Sequence, residues 1–236
     1  MGNYMVIHEK GLNMMNSQFQ LTRAFLISLV ALLAFSVVAM LVRAEKIIDF
    51  DNAVISAVQS QESPFLTRIM EFFTTVGSTL WVVIICLLIL IFLYKMLHHR
   101  HELVLFIVVV AGSPLLNMVL KEIFQRARPD LNRLIEISGY SFPSGHAMNA
   151  FTVYGILTFL LWRHIFNLTG RTLLLLFSSF VVFMIGVSRI YLGVHYPSDI
   201  IGGYLASGCW LAASIWVFQW YMERQPQLTS RMLKRS

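Results

Sequence analysis

Charged residues are scarce in this chain of 236 residues: lysine, arginine, aspartate and glutamate make up 13% of it, whereas hydrophobic residues make up 57%. An ordinary soluble domain has about 25% charged and about 45 to 50% apolar residues. The two cysteines are too few for a disulfide scaffold, and the 13 glycines follow no triplet period. Abundant bulky apolar side chains exclude a disordered chain. What remains is an integral membrane protein with a single domain.

Long apolar runs predict the membrane spans, because a helix needs about 20 residues to cross a hydrocarbon core about 30 Å thick. Such runs occupy residues 21–42, 72–94, 103–120, 147–162, 172–187 and 200–221. Only Arg23 is charged within them, and it lies at an end where its side chain can reach water. The sequence therefore predicts an all-α protein with six transmembrane helices, a polar N-terminal tail over 1–20 and a basic C-terminal tail over 222–236.

An even number of spans places both termini on one side of the membrane. Of the 18 lysine and arginine residues, ten lie on that side and eight on the other. By the positive-inside rule this surplus is small. If three of the eight cations belong to a functional site and are left out, the count becomes ten to five. We therefore predict cytoplasmic termini. The basic tail indicates attraction to anionic lipid and gives no reason to expect nucleic-acid binding.

A short amphipathic segment separates the first two runs. Its apolar residues, which recur at helical spacing, are Ile47, Phe50, Val54 and Val58. Polar residues, among them Asp49 and Asp51, lie between them. This pattern predicts a helix that lies on the outer surface of the membrane.

Most of the unusual chemistry falls in two connections, which six spans place on the same side. The connection between runs three and four contains Lys121, Arg126, Arg128, Pro129 and the string Pro143, Ser144, Gly145, His146. The connection between runs five and six contains Ser188, Arg189, His195 and Asp199. Several cations, two histidines and one carboxylate thus converge at one membrane surface, which indicates a site for a highly anionic group.

The first connection offers two ways to hold phosphate oxygens. Lys121 and Arg128 lie seven residues apart, on one helix face about 10 Å apart in rise, and Pro129 is expected to end that helix. Ser144 is a typical N-cap, and Gly145 lets an anion approach the free amides of the following helix. Taken singly, each feature also fits a plain structural role, as interfacial cations or as a capped helix start.

The second connection suggests a nucleophile. Pro197 is expected to begin a helix, so that Asp199 in its first turn can reach back to one imidazole nitrogen of His195. That hydrogen bond would fix the tautomer and leave the other nitrogen free to attack, as in catalytic triads. By itself, the pair also fits an interfacial His–Asp contact without a catalytic role.

Together the three clusters resemble the signature motifs of the type 2 phosphatidic acid phosphatase family. The spacings are Lys, six residues, Arg-Pro; Pro-Ser-Gly-His; and Ser-Arg, five residues, His, three residues, Asp. The motifs contain no departure from the family pattern, whereas the first 45 residues and the tail carry none of it. The resemblance implies a core shared with the vanadium haloperoxidases, and chance agreement at eleven positions is negligible.

The resemblance also implies a role for each site residue. His195 would form a phosphohistidine, Asp199 would orient it, and His146 would protonate the leaving oxygen. The phosphoryl oxygens would be bound by Lys121, Arg128, Ser144, Gly145 and Arg189. The family needs no metal and no other cofactor.

The implied activity is hydrolysis of a lipid phosphate in the bilayer. The candidates are phosphatidylglycerophosphate, undecaprenyl pyrophosphate, phosphatidic acid and lipid A phosphates, and the sequence does not choose among them or predict an oligomeric state. A lipid phosphotransferase with the same phosphohistidine is the main alternative. An anion transporter does not explain the His–Asp pair. A vanadate peroxidase is disfavoured because an embedded six-span chain suits a lipid substrate.

Overall fold

The computed structural model describes residues 2–97, 100–130, 132–162 and 164–233. These residues form eight α-helices and no β-strand, as the composition predicts. The helices are α1 (Gly2–Arg43), α2 (Ile48–Gln59), α3 (Pro64–Val76), α4 (Thr79–Leu97), α5 (Arg100–Phe124), α6 (Gly145–Trp162), α7 (Leu168–Tyr191) and α8 (Pro197–Leu233). The backbone of α1 and α8 is helical through most of both predicted tails.

Four helices are long and apolar enough to cross a membrane, and a bent pair raises the number to five, within the described ranges. The four segments are Leu21–Arg43, His101–Phe124, Leu168–Tyr191 and Pro197–Arg224. Their large apolar side chains, such as Val30 and Phe177, are widely exposed on the bundle surface, as expected where lipid replaces water. The chain is thus a multi-pass membrane protein, but six continuous spans are not confirmed.

Two predicted spans differ from expectation for physical reasons. The run over 72–94 is not one helix: α3 and α4 meet at a 56° bend, at Gly77 and Ser78. Helix α6 is not among the candidate spans, because its first turns carry His146 and Asn149. It packs against α5, α7 and α8 in the interior of the bundle, where neighbouring helices rather than lipid surround it.

The two motif-bearing connections lie at the same end of the bundle, as predicted. The amide of Leu134 donates to the carbonyl of Leu192 over 3.1 Å, and the amide of Ser144 donates to the carbonyl of Asp199 over 3.0 Å. Gly193 has φ +72°, and a Cβ there would lie 2.5 Å from the carbonyl oxygen of Asn132. Only glycine permits this approach, which joins the two loops.

The segment between the first two runs is helical, as predicted, but one of its aspartates faces the protein interior rather than water. In α2, Asp51 is fully buried together with Ile55, whereas Phe50 is largely exposed. The expectation that Asp51 faces water is therefore wrong. Its carboxylate points into the protein because Arg126 and Ser198 donate hydrogen bonds to it there. The position of α2 on the outer membrane surface stays a prediction.

Candidate active site

A histidine and an aspartate form the centre of the site. Helix α8 begins at Pro197, as predicted, and its first turn carries Asp199. The Asp199 Oδ2 atom lies 3.2 Å from Nδ1 of His195 and also accepts the amide of Tyr196 over 2.9 Å. Both side chains are buried. The four-residue spacing thus brings the two groups together in the way that the sequence predicts.

The hydrogen bonds of His195 assign its tautomer. Arg128 Nη1 lies 3.2 Å from Nε2 of the imidazole, and because a guanidinium can only donate, Nε2 is the acceptor. Nδ1 therefore carries the proton and donates to Asp199. Burial, together with the positive charges of Arg189, Arg128 and Lys121, lowers the pKa of His195 well below its ordinary value. The ring is thus neutral at pH 7, and the lone pair of its Nε2 atom points toward Arg128.

Lys121 lies in the last turn of α5, whereas Arg128 lies in the loop that follows this helix. Helix α5 ends at Phe124, and Gln125 has φ +45°, so the expectation that Lys121 and Arg128 share one helix face is wrong. The chain leaves the helix early because the carbonyls of Arg126 and Ala127 accept hydrogen bonds from Ser141.

The side chains of these two cations nevertheless both donate to the loop over 138–140, and Arg128 also reaches the connection between α7 and α8. Arg128 donates to the carbonyls of Gly139 and Val194 over 2.9 and 2.8 Å, and Lys121 Nζ donates to the carbonyl of Tyr140 over 2.9 Å. Backbone carbonyls carry no net charge, so both cations keep their full charge for a ligand.

Arg189 is the most deeply buried cation of the site, with 2% of its surface exposed. Its Nη1 donates to the hydroxyl of Thr74, in α3 just before the bend at Gly77. Its Nε is buried and has no hydrogen-bond partner within the part of the chain that the structure describes. A buried donor without a partner is costly, and a bound anion would remove that cost.

The start of α6 supplies the second histidine. Ser144 precedes the helix and is fully buried, and its hydroxyl accepts the amide of Ala147 over 3.5 Å, which confirms the predicted N-cap. The ring of His146 lies within electrostatic range of His195 and Arg189. It packs beside Gly77, where a Cβ would come within 3.3 Å of its Cδ2 atom. His146 thus lies near the cationic side chains of the site.

The charges around the nucleophile are unbalanced. Among the described residues, Lys121, Arg128 and Arg189 form no ion pair with a carboxylate. Asp199, the one carboxylate next to His195, pairs instead with Arg126 over 2.7 Å. Partly buried cations without counter-charges destabilise a protein unless an anion occupies the space between them. The geometry therefore fits a phosphoryl group in contact with Nε2 of His195.

Comparison with known proteins assigns the family. A sequence profile of the PAP2 superfamily matches residues 102–223, which is more than half of the chain and includes all three motifs. The chain belongs to the PAP2 superfamily. All three motifs that resemble this family in the sequence lie within the matched residues.

Individual PAP2 proteins extend the similarity beyond the motifs. Phosphatidylglycerophosphatase B of Bacillus subtilis is 31% identical over 73% of this chain and 85% of its own length. The putative undecaprenyl-diphosphatase YbjG of Escherichia coli is 30% identical over 60% of this chain and 70% of its own. The predicted class of enzyme, a lipid phosphatase, is thereby confirmed along with the family.

A solved PAP2 structure has the same fold. The crystal structure of the transmembrane PAP2 type phosphatidylglycerolphosphate phosphatase from Bacillus subtilis superposes with a TM-score of 0.74 at 28% identity. The match covers 84% of this chain and 96% of that one. The all-α fold of the PAP2 membrane phosphatases, predicted from the sequence, is thus confirmed.

Sequence reasoning missed two residues at the site, Asp51 and Thr74, and gave Arg126 no role there. Thr74 contacts Arg189, and Asp51 and Arg126 connect to Asp199. Arg126 is visible in the sequence as a cation of the first connection, but Asp51 and Thr74 lie in segments without a motif. Their contacts depend on how α2 and α3 dock, which no local spacing reveals.

Proposed function

We propose that the chain hydrolyses a phosphate monoester or a pyrophosphate on a membrane lipid through a phosphohistidine on His195. The observation that carries the proposal is the set of three cations, Lys121, Arg128 and Arg189, without carboxylate partners around a neutral imidazole. A transferable phosphoryl group supplies the missing negative charge and the electrophile.

The first step transfers the phosphoryl group to the protein. Nε2 of His195, released from its hydrogen bond with Arg128, forms a bond to phosphorus while the bond from phosphorus to the leaving oxygen breaks. Burial and the nearby cations lower the pKa of His146 to about 3, so this ring takes up a proton together with the anionic substrate and then donates it to the leaving oxygen. Asp199 accepts the Nδ1 proton in a hydrogen bond and stabilises the positive charge that the ring acquires. The lipid leaves as an alcohol, or as a monophosphate if the substrate is a pyrophosphate.

The second step regenerates the enzyme. Water attacks the phosphohistidine, His146 takes a proton from that water, and the bond between nitrogen and phosphorus breaks. Inorganic phosphate leaves and His195 returns to its neutral form. In both steps the guanidinium groups of Arg128 and Arg189 hold the oxygens on which charge develops, a function that suits their planar forks.

The substrate class is tested by phosphate release. Because the relatives are named as phosphatases of phosphatidylglycerophosphate and undecaprenyl diphosphate, these two lipids are assayed first, with phosphatidic acid and lipid A beside them. We expect turnover of at least one lipid in excess chelator, because the site offers cations where a metal site offers carboxylates. Vanadate, which mimics the pentacoordinate phosphorus, should inhibit.

Two outcomes of this assay would contradict the proposal. Loss of turnover on chelation, restored by Mg²⁺, would reject the metal-free mechanism. Transfer of the phosphoryl group to an added alcohol, with no release of inorganic phosphate in its absence, would identify a phosphotransferase instead.

The orientation of the site is a separate proposal. We place the catalytic end of the bundle outside the cytoplasm and both termini inside, on the basis of the lysine and arginine surplus. In a background without the two native cysteines, a cysteine replacing the exposed Glu136 should react with a membrane-impermeant thiol reagent in intact cells. A cysteine replacing His164, in the loop between α6 and α7 at the other end, should not.

The opposite labelling pattern would reverse the proposed orientation without affecting the chemistry. Equal labelling at both positions would mean that the reagent had entered the cells, so permeabilised cells serve as the control for reactivity.

A further inference from the structure

A chain of alternating charges leads away from the nucleophile into α2. Asp199 accepts Arg126 Nη1 on Oδ1 over 2.7 Å, while its Oδ2 faces His195. The other guanidinium nitrogen, Arg126 Nη2, donates to Asp51 Oδ2 over 2.8 Å. His195, Asp199, Arg126 and Asp51 therefore form one continuous network, to which α2 contributes its last member.

The two carboxylates of this network are buried and accept several hydrogen bonds. Both carboxylates are fully buried, and Ser198 donates its amide to Asp51 Oδ1 and its hydroxyl to Asp51 Oδ2, over 2.9 and 2.6 Å. The Arg126 guanidinium also lies 4.0 Å from the ring centroid of Tyr196. Both terminal nitrogens of Arg126 thus donate to carboxylates, which hold the guanidinium by charge as well as by hydrogen bonds.

Arg126 therefore differs in kind from the other cations of the site. Lys121, Arg128 and Arg189 have no carboxylate partner among the described residues, whereas Arg126 has two. Two carboxylates and one guanidinium leave a single net negative charge beside His195. That charge is balanced when the ring becomes positive on phosphorylation, so the network is neutral in the state that the reaction must stabilise.

We propose that Asp51 and Arg126 are positioning residues, which act on His195 through Asp199. This inference rests on the proposed function of His195 as nucleophile. Arg126 holds Oδ1 of Asp199, so that only Oδ2 is free to orient the imidazole, and Asp51 holds Arg126 from the opposite side. The buried face of α2 thereby sets the geometry of a nucleophile that lies 144 positions further along the sequence.

If Asp51 and Arg126 are positioning residues, substitutions of them should lower kcat but leave substrate binding nearly unchanged. Arg126→Lys keeps the charge but cannot bridge two carboxylates, and Asp51→Asn keeps the shape but removes the charge that holds Arg126. We expect either change to lower kcat about ten- to a hundredfold, as when outer partners of a functional histidine are removed. KM and the inhibition constant of vanadate should change less than about threefold, because no phosphate-binding group is touched.

A matched control and a coupling test separate positioning from plain stabilisation. Asp49→Asn removes an exposed carboxylate from the same helix and should leave kcat unchanged. In an Asp199→Asn background, Asp51→Asn should lower kcat less than about twofold further, because its effect passes through Asp199. If Asp51→Asn lowered kcat equally with Asp199 and with Asn at position 199, Asp51 would only stabilise the fold. If Arg126→Lys greatly raised the inhibition constant of vanadate, Arg126 would be a phosphate ligand. Either result overturns the proposal.

Ring signals of ¹⁵N-labelled histidine test the network without turnover. In the wild-type protein, the His195 signals should report a protonated Nδ1. Asp51→Asn and, as a milder change that keeps every charge, Ser198→Ala should shift them, whereas Asp49→Asn should not. Shifted signals in a protein without His195-dependent phosphate release would refute the proposed function but not the network. Unshifted signals in folded variants would refute the network itself.

Discussion

His195→Gln is expected to lower phosphate release by about four orders of magnitude or more, as loss of a catalytic nucleophile or its base does in other enzymes. Glutamine has a similar size and can still accept from Arg128, so the buried pocket should keep its shape. It has no nitrogen lone pair that can attack phosphorus, so the covalent step is lost. The measurement is initial-rate phosphate release from the best lipid of the panel.

The matched control is His164→Gln, which changes an exposed histidine in the loop between α6 and α7. Its rate should equal that of the wild-type protein. Thermal unfolding of both variants in detergent shows whether they are folded. A folded His195→Gln variant that retains more than a few per cent of the activity would remove His195 from the role of nucleophile.

Arg189→Lys is expected to lower kcat about a hundredfold, equivalent to about 3 kcal/mol of transition-state stabilisation, the typical loss of one oxyanion donor. Lysine keeps the positive charge but replaces a planar fork by a single ammonium group. The Arg189 fork is fixed in place by its burial and by Thr74, and its Nε is unpartnered among the described residues. Geometry as well as charge is therefore lost.

Arg68→Lys provides the comparison, because Arg68 is an exposed cation of α3, the helix that also carries Thr74. It should change kcat less than about twofold, since an exposed ion contact contributes about 0 to 1 kcal/mol. Equal effects at the two positions would mean that general positive potential at the membrane surface, and not a shaped phosphate pocket, explains the basic residues.

The sequence predicts those parts of the site whose geometry is local. His195 lies just before α8 and Asp199 in its first turn, and Ser144 caps the helix that it precedes, so spacing alone brings these atoms together. Arg189 lies in the last turn of α7, and the motif that contains it predicts its place in the pocket. The partners that fix these residues are not local. Thr74 lies 115 positions from Arg189, and only the docking of α3 on α7 joins them.

Hydropathy predicts the membrane character of the chain better than its helix boundaries. The run over 72–94 is apolar throughout, yet Gly77 and Ser78 interrupt it, and an average over a window does not register a bend. An apolar run also does not reveal whether lipid or protein surrounds it, and α6 is surrounded by other helices. The buried face of α2 was missed because a single aspartate in an amphipathic pattern is typical of a solvated face.

The central claim is that the phosphoryl group passes through His195, and trapping of the phosphoenzyme tests it most directly. The protein is mixed with a ³²P-labelled lipid substrate, quenched at alkaline pH within the first turnover, and digested for analysis of the labelled peptide. The proposed mechanism predicts an acid-labile label on His195, absent from His195→Gln and chased into inorganic phosphate on longer incubation. Phosphate release without any trapped label, together with ¹⁸O evidence that water attacks the lipid phosphate in one step, would contradict it.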